Sequence, residues 1–451
     1  MGRSLLTSFS VVARCPDGHP LVIRNHPLDR NGKPFPTLFW LTCPQAVKAV
    51  SRLEADGWIK RLADRAESEA IFGDRLRRAH RQHAEERARY VPDAGEWGGV
   101  TGTAGGVKCL HAHYANHLAG GEDPIGAWVA ERVEPIHRTV EGRVAAVDMG
   151  TNSIRLLVAD PGDGDLREVA RDMVITRIGE GVDVEGKLAP AALERTLDVL
   201  GWYARRARAL RAGRIRVAAT SAVRDAVDRK TLFDRVRELT GVEPEVLSGE
   251  REAALSFLGA TAGLEASRPF LVFDIGGGST ELALGSDAPE ATASVDVGSV
   301  RLTERVRPAD PPTVEDVEAM RQIAGAALAE AEYVVAPGAA ATLVGVAGTV
   351  TTVQALALGL ERYDPEEIHR TVLSRAEAGR VTEMLAGLTI AERRALRVMA
   401  PGRADVIVAG CLILLEILDR WRGQGCIVSE RDILDGLALE LLTGPASAGY
   451  P

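Results

Sequence analysis

The stretch RVAAVDMGTNSIRLLVA, residues 143–159, decides the fold of this chain. An apolar run ends at Asp148, and a short turn with glycine and hydroxyl residues leads into a second apolar run. This pattern predicts two strands joined by a tight turn. The pattern returns 126 residues later in FLVFDIGGGSTELALG, residues 270–285, where Asp274 takes the place of Asp148. Because a repeat at domain spacing indicates a duplicated unit, we predict an α/β fold whose two halves face each other across a cleft.

The two glycine turns are suited to binding phosphate. Glycine lets backbone N–H groups approach an anion without interference from a Cβ atom, and serine or threonine adds hydroxyl donors. The aspartate before each turn can hold a divalent metal ion or orient a water molecule. Glycine needed only for turn geometry is the plain alternative, but it leaves the repeated aspartates and hydroxyls unexplained. The candidate turn residues are Gly150, Thr151, Asn152, Ser153, Gly276, Gly277, Gly278, Ser279 and Thr280.

Three further segments fit the same cleft. Arg224 follows an apolar run at the start of a helix, where a guanidinium group and the helix dipole both favour phosphate. Gly348 and Thr349 lie at another strand-to-helix transition, and Glu252 lies at a helix start just before the second copy. Taken alone, Arg224 is better explained by a surface salt bridge and Glu252 by the helix dipole. The absence of a Gly-Lys-Ser/Thr loop excludes a P-loop enzyme.

Composition and charge exclude several classes of protein. Hydrophobic residues make up 46% of the 451 residues, so buried cores are possible. The net charge of −9 argues against a surface that coats DNA. The longest apolar stretch, residues 406–415, is too short to cross a membrane, and the first residues lack the apolar core of a signal peptide. Five scattered cysteines favour a reducing compartment. We therefore expect a cytoplasmic protein that binds neither DNA nor membranes.

The first 140 residues differ from the rest of the chain. They contain eight of the nine histidines and three of the five cysteines. We predict a separate small α+β module here, followed by two halves at residues 141–258 and 259–444. Five of its side chains are suitable ligands for zinc or another soft metal, although their spacing matches no known zinc pattern and buried thiols with ordinary histidines are the alternative. They are Cys15, Cys43, Cys109, His111 and His113.

Residues 143 to about 443 resemble the exopolyphosphatase / guanosine pentaphosphate phosphatase (Ppx/GppA) family. The resemblance rests on AVDMGTNS (146–153), ATSAVRDA (219–226), LSGEREA (247–253), FDIGGGSTEL (273–282), VGSVRLTE (297–304), VAGTVTT (346–352), RADVIVAG (403–410) and VSERDILDGL (428–437). It implies two RNase H-like domains of the actin-like, sugar-kinase and Hsp70 superfamily with an interdomain cleft. It also implies hydrolysis of terminal phosphoanhydride bonds, in polyphosphate or in guanosine pentaphosphate (pppGpp), the latter linked to the stringent response.

The same resemblance assigns roles to residues. Glu252 would orient and deprotonate the attacking water, with Asp274 and Glu281 as further catalytic residues. Asp148, Asp274 and Glu281 would hold Mg²⁺ or another divalent cation. The phosphate chain would bind the turn residues together with Asp148, Arg224, Arg301, Gly348 and Thr349. An actin-like ATPase or sugar kinase, and an alarmone sensor without turnover, are the remaining alternatives. The sequence leaves the choice of substrate, the chain length, the metal and the oligomeric state open.

Residues 9 to about 130 resemble a second family, the domain of unknown function 501. The matching segments are ARCP (13–16), PFPTL (34–38), LTCP (41–44), RLEA (52–55) and VKCLHAH (107–113). This resemblance implies no activity. The role of the first module, whether regulation or protein interaction, therefore stays open.

Overall fold

The structure is a computed structural model. It describes residues 7–15, 18–29, 31–35, 37–91, 97–103, 105–133, 142–162, 165–400 and 402–443. The predicted junction near residue 140 lies outside the described residues.

The first module is a small α+β unit, as predicted. Its three strands form an antiparallel sheet in the order β1-β2-β3. The helices that follow are amphipathic, and the apolar stripe of each is buried by packing. The strands are β1 (Phe9–Arg14), β2 (Pro20–Asn25) and β3 (Phe39–Leu41). The helices are α1 (Pro44–Ala55), α2 (Trp58–Ser68), α3 (Ala70–Tyr90), α4 (Leu110–Leu118) and α5 (Pro124–Ala130), with a 3-10 turn at Val100–Gly102.

The first half contains a five-stranded sheet in the order β6-β5-β4-β7-β8. The first three strands along the chain pair antiparallel, and β7 and β8 then add in parallel. The strands are β4 (Val144–Met149), β5 (Ser153–Pro161), β6 (Leu166–Ile175), β7 (Arg214–Ala219) and β8 (Glu245–Val246). The helices are α6 (Val182–Glu185), α7 (Pro190–Ala209), α8 (Ser221–Asp225) and α9 (Lys230–Thr240). The next helix, α10 (Gly249–Thr261), packs on the sheet of the second half.

The second half repeats this topology and adds one strand. Its sheet has the order β11-β10-β9-β12-β14-β13, with an antiparallel β9-β10-β11 meander, β12 and β14 in parallel, and β13 as an antiparallel edge. The strands are β9 (Phe270–Ile275), β10 (Thr280–Gly285), β11 (Pro289–Val295), β12 (Thr342–Val346), β13 (Val372–Ser374) and β14 (Gly425–Val428). The helices are α11 (Ser299–Val306), α12 (Val314–Ala331), α13 (Ala347–Ala357), α14 (Pro365–Ile368), α15 (Arg375–Ala386), α16 (Ile390–Ala395), α17 (Ile407–Arg420) and α18 (Ile433–Thr443). The predicted duplicated α/β fold is confirmed.

The last helix returns to the first half. Leu434 and Leu437 on α18 pack in one apolar cluster with Val144 on β4 and Leu157 on β5. Burial of these apolar side chains ties the end of the chain to the sheet where the duplication begins. The predicted division at residue 258 falls inside α10 (Gly249–Thr261) and stays a prediction.

The first module is packed onto the first half. Its core and the core of the five-stranded sheet form one apolar cluster. Arg206 on α7 is fully buried at this junction and pairs with Asp172 at 2.5 Å and with the carbonyl of Val12. The indole N–H of Trp202 donates to the carbonyl of Ala119 at 2.7 Å. The contacts to the carbonyls of Val12 and Ala119 cross between the two units and fix their relative orientation.

None of the helices in the described part of the chain has the length and apolar character that a membrane span requires.

Candidate active site

The two glycine turns have the same geometry. In the first, the N–H of Gly150 donates to the carbonyl of Ser153 at 2.9 Å, and in the second, the N–H of Gly276 donates to the carbonyl of Ser279 at 3.0 Å. Each turn directly follows the central strand of its sheet. The duplication has therefore preserved the turn as well as the strands.

The turns face each other across the boundary between the halves. A Cβ atom placed on Gly278 would lie 2.7 Å from the hydroxyl of Ser221 and 2.9 Å from that of Thr151, and one on Gly277 would lie 3.1 Å from the Cβ of Thr151. No side chain fits at Gly278 without a shift, since ordinary contacts begin near 3.4 Å. Glycine is thus required here by the approach of the opposite half.

Backbone donors of both turns remain available in this crevice. Within the described part of the chain, no protein acceptor is bonded to the N–H groups of Thr151, Asn152, Gly277 or Gly278. Successive unpaired N–H groups form a concave site for anions. With the hydroxyls of Thr151 and Ser221 beside them, the turns can bind phosphoryl oxygens from two sides.

The two matched aspartates have different partners. The hairpin register places Arg155 opposite Asp148 and Glu281 opposite Asp274. Arg155 donates to Asp148 at 2.7 Å and also pairs with Asp432. In the second copy, a carboxylate occupies the position of this arginine, and the hydroxyl of Ser256 donates to Asp274 at 2.9 Å. The duplication has therefore diverged so that uncompensated negative charge collects on the second half.

Glu252 completes a cluster of buried carboxylates. The hydroxyl of Ser294 donates to Glu281 at 2.9 Å, and the guanidinium of Arg224 lies 3.6 Å from Glu252. One oxygen each of Asp148, Glu252 and Glu281 is buried without a hydrogen-bond partner in the described structure. Buried carboxylate oxygens without donors are unfavourable unless a cation binds them.

The pKa values of the clustered acids also show that their negative charges are poorly compensated. Burial, together with the negative charge of Glu281, raises the pKa of Glu252 well above its ordinary value. Burial and nearby Asp432 raise the pKa of Asp274 to about 6. The pKa of Glu281 is raised by burial and by Asp274, and burial also raises the pKa of Asp148. Four acidic groups thus compete for positive charge in one buried site.

Helix α10 brings Glu252 into this site. The side chain of Ser248 caps the helix by accepting the N–H of Arg251 at 3.2 Å. Gly249 lies directly against Ser294 on β11, so the first turn of α10 rests on the strand that supports Glu281. This close approach needs glycine and sets Glu252 beside Glu281.

The donor atoms are of the chemical type that a hard divalent cation binds. Mg²⁺ prefers carboxylate and water oxygens in a near-octahedral arrangement. The unpartnered oxygens of Asp148, Glu252 and Glu281 are ligands of this type, and the pKa of Asp274 is raised by burial and by its acidic neighbours. The predicted metal residues Asp148, Asp274 and Glu281 line one buried site, but in the described structure their oxygens do not form a group of three within 4.8 Å of one another, so their role as ligands stays a prediction.

Several predicted binding residues have other partners. The hydroxyl of Thr280 donates to the carbonyl of Val297 at 2.6 Å and is fully buried. Arg301 pairs with Asp183 at 2.8 Å and with Asp225 at 2.6 Å, so it joins the two halves by ion pairs. The carbonyl of Asn152 accepts the N–H groups of Thr176 and Arg177.

Gly348 and Thr349 belong to a neighbouring packed region. Gly348 lies against the guanidinium of Arg403, and Thr349 packs on Gly410 of α17. Beside them, the Tyr363 hydroxyl donates to Glu430 at 2.6 Å. Burial raises the pKa of Glu430 to about 7, and the other charged groups facing this carboxyl are Arg171, Asp432 and Arg403.

Five residues at the crevice are absent from the sequence-based set. They are Arg155, Ser221, Ser256, Ser294 and Asp432. A signal for Arg155 existed, because a hairpin closed at Gly150 and Ser153 fixes the partner of Asp148 by register alone. Asp432 is far away in the sequence and reaches Arg155 only through tertiary packing.

The five residues predicted as metal ligands in the first module do not form one cluster in the described structure, and their role as ligands stays a prediction. Cys109 and His111 lie within ligand distance of each other and of Glu54, but Cys15, Cys43 and His113 are not part of this group. The imidazole of His113 instead pairs with Asp123 at 2.7 Å. Spacing in the sequence did not show which thiols and imidazoles the sheet would separate.

Comparisons with known proteins agree with this architecture. Residues 157–444 match the Ppx/GppA phosphatase family, and residues 11–131 match a family described as a protein of unknown function, DUF501. The chain is 44% identical over 313 residues to "Exopolyphosphatase 2" of Mycobacterium tuberculosis. This match covers 66% of this chain and 98% of that protein. It is 28% identical over 299 residues to "Guanosine-5'-triphosphate,3'-diphosphate pyrophosphatase" of Vibrio atlanticus, covering 66% of this chain and 59% of that protein.

A solved structure gives the same result for the fold. The crystal structure of an exopolyphosphatase-like protein superposes with a TM-score of 0.64 at 37% identity, covering 67% of this chain and 99% of that chain. The second glycine turn and the buried carboxylates Glu252, Asp274 and Glu281 lie within the matched residues 157–444, and the first turn lies just before them. The chain therefore belongs to the Ppx/GppA phosphatase family and carries a DUF501 module ahead of its phosphatase region.

Proposed function

We propose that this protein is an exopolyphosphatase, which hydrolyses the terminal phosphoanhydride bond of inorganic polyphosphate and releases phosphate. The observation that carries the proposal is the juxtaposition, in one crevice, of unpaired turn N–H groups with buried carboxylates that lack donors. The relatives named above support the substrate class.

Glu252 is the group best suited to activate the attacking water. Its carboxyl has one oxygen without a hydrogen-bond partner, and burial with nearby acids raises its pKa well above the ordinary value, which makes the carboxylate a stronger base. The nearby Arg224 guanidinium, 3.6 Å away, holds the side chain in place. Removal of a proton from water at Glu252 would produce the nucleophile for the terminal phosphorus atom.

The turns supply most of the remaining stabilisation. Phosphoryl transfer needs positioning and charge stabilisation more than covalent chemistry. The N–H groups of Thr151, Asn152, Gly277 and Gly278 would bind the equatorial oxygens, together with the hydroxyls of Thr151 and Ser221. When bound by Asp148, Asp274 and Glu281, Mg²⁺ would neutralise charge on the phosphate chain.

Hydrolysis of pppGpp at its 5′ end is the second candidate. A cavity of about 480 Å³ lies between the halves and is lined by Glu180 and Val184 from the first half and by Glu304 and Ala409 from the second. Glu304 also borders the smaller gap that contains Thr151 and Gly278. This cavity is within the size range of small-molecule pockets, so a nucleoside could occupy it while its phosphates lie at the turns.

One comparison separates these functions. Phosphate release is measured with polyphosphate, pppGpp and ATP side by side, with Mg²⁺ and with EDTA. We expect Mg²⁺-dependent release of phosphate from polyphosphate. A preference for pppGpp would favour the second candidate function. Turnover of ATP alone would indicate an actin-like ATPase, and binding without phosphate release would indicate a sensor. Val184→Trp, at a residue 74% exposed at the cavity rim, should reduce turnover of pppGpp and spare that of polyphosphate.

The proposal includes the cellular location. All five cysteines are free thiols rather than disulfides, which suits the reducing cytoplasm. We also propose residues 141–258 and 259–444 as the two phosphatase domains.

A further inference from the structure

The first module contains a mixed ligand cluster at the contact between two helices. Glu54 lies at the end of α1, Cys109 immediately precedes α4, and His111 lies in its first turn. The Nδ1 atom of His111 is 3.1 Å from a Glu54 oxygen and 3.8 Å from the Cys109 sulfur. Across residues that the structure describes, this is the one group of three such ligand atoms within 4.8 Å of one another.

The orientation of the imidazole is fixed by its other nitrogen. The Nε2 atom of His111 lies 3.1 Å from the carbonyl oxygen of Val47 and 3.1 Å from the hydroxyl of Ser51, which itself donates to that carbonyl at 2.8 Å. A carbonyl only accepts hydrogen bonds, so Nε2 carries the proton. In the neutral ring, the lone pair of Nδ1 therefore points toward the carboxylate and the sulfur. An imidazole held in this way by a backbone carbonyl is the usual support for a metal ligand.

The carboxylate is held in a similar manner. The backbone N–H of Leu110, at the start of α4, donates to the Glu54 oxygen at 2.6 Å. The same oxygen faces Nδ1, and two lone pairs at this distance repel each other unless a cation or a proton lies between them. The three side chains are partly buried, with Glu54 24% and His111 21% exposed, so solvent can reach the site.

Two of the three separations between the ligand atoms are close to those of a tetrahedral zinc site. Bonds of about 2.3 Å to sulfur, 2.1 Å to nitrogen and 2.0 Å to oxygen separate sulfur from nitrogen by roughly 3.6 Å and nitrogen from oxygen by roughly 3.3 Å. The observed separations are 3.8 and 3.1 Å. A set of one thiolate, one imidazole and one carboxylate suits zinc or cobalt and not Mg²⁺. We propose that Glu54, Cys109 and His111 bind a zinc ion, with the fourth position open to water.

This site is separate from the phosphatase crevice. It uses none of the carboxylates between the halves, and it joins α1 to α4 within the first module. Binding of zinc releases to solvent both the thiol proton of Cys109 and the Nδ1 proton that the imidazolium of His111 holds against Glu54, while the carboxylate binds without further change. The site also gives the DUF501 module a chemical property that the phosphatase proposal does not require.

Cobalt substitution of the full chain tests the proposal. The protein is stripped with EDTA, dialysed, and titrated with Co²⁺ in the presence of excess Mg²⁺. We expect one Co²⁺ per chain with a near-ultraviolet sulfur-to-cobalt charge-transfer band and visible bands of tetrahedral cobalt. The crevice carboxylates cannot produce the sulfur band. Zn²⁺ should abolish these bands by displacement at one equivalent.

Variants identify the ligands. Cys109→Ser should abolish the charge-transfer band, and Ser51→Ala should weaken metal binding about 10–100-fold by loosening His111. Cys43→Ser, which changes another thiol of the same module, should leave the band unchanged. If wild-type protein shows no sulfur-to-cobalt band, or if Cys109→Ser retains it, the proposal is overturned and the cluster is an imidazolium ion pair. The cobalt titration of the wild-type protein tests the proposal even if a variant fails to fold.

Discussion

Replacing Glu252 by glutamine should separate activity from stability. The change keeps the shape of the side chain but removes its charge and its capacity as a base. We expect kcat for phosphate release to fall about 10²-fold or more, the usual contribution of a general base. Glu250→Gln is the matched control, because Glu250 lies in the same helix turn but is exposed outside the crevice.

The same change should stabilise the metal-free fold. An unpartnered buried carboxylate costs about 1–3 kcal/mol or more, while the partly exposed contact with Arg224 returns at most about 1 kcal/mol. Glu252→Gln should therefore raise the free energy of unfolding by about 1–2 kcal/mol in EDTA. The gain should shrink in Mg²⁺, because the cation already compensates the cluster in the wild-type protein.

Thermal unfolding in both buffers, with phosphate-release assays, measures these effects. An unchanged kcat with both polyphosphate and pppGpp would remove Glu252 from its proposed role. A variant that is less stable than the wild type in EDTA would refute the reasoning about uncompensated charge.

Three further changes test other parts of the structure. Gly278→Ala should lower phosphate release at least ~10-fold and destabilise by about 1–3 kcal/mol, because its Cβ would overlap the opposite turn; Gly105→Ala, with open space around it, should change neither. Burial raises the pKa of Glu430 to about 7 in the folded protein, above that of the unfolded chain, so its ionisation lowers the stability as pH rises from about 4.5 to 7. Glu430→Gln keeps an acceptor for Tyr363 and cannot ionise, so relative to this variant the wild type should lose roughly 3 kcal/mol over that pH range in denaturant titrations. Parallel stability curves for the two proteins would contradict this. Arg206→Met should destabilise by about 3–5 kcal/mol in urea titrations, because it leaves Asp172, whose side chain is only 12% exposed, without its ion-pair partner. A neutral result would mean that neither this ion pair nor the hydrogen bond of Arg206 to the Val12 carbonyl stabilises the region.

Much of the crevice could be predicted from local sequence. The turns at Gly150 and Gly276 follow apolar strands, and a hairpin fixes which residues lie opposite each other. The register that pairs Asp148 with Arg155 and Asp274 with Glu281 therefore follows from the turn positions alone. Side-chain alternation also sends neighbours such as Thr280 and Glu281 to opposite faces of their strand, which explains why the Thr280 hydroxyl bonds elsewhere.

The sequence by itself determined the duplicated fold, the turns and the paired acids, because these depend on short-range periodicity and on residues joined by a few bonds. Only the tertiary structure decided that Glu252 lies beside Glu281, that Asp432 reaches Arg155, and that Glu54 rather than Cys15 or Cys43 joins Cys109 and His111. These neighbours meet because apolar faces of distant helices are buried together, and no local pattern records which faces will pack.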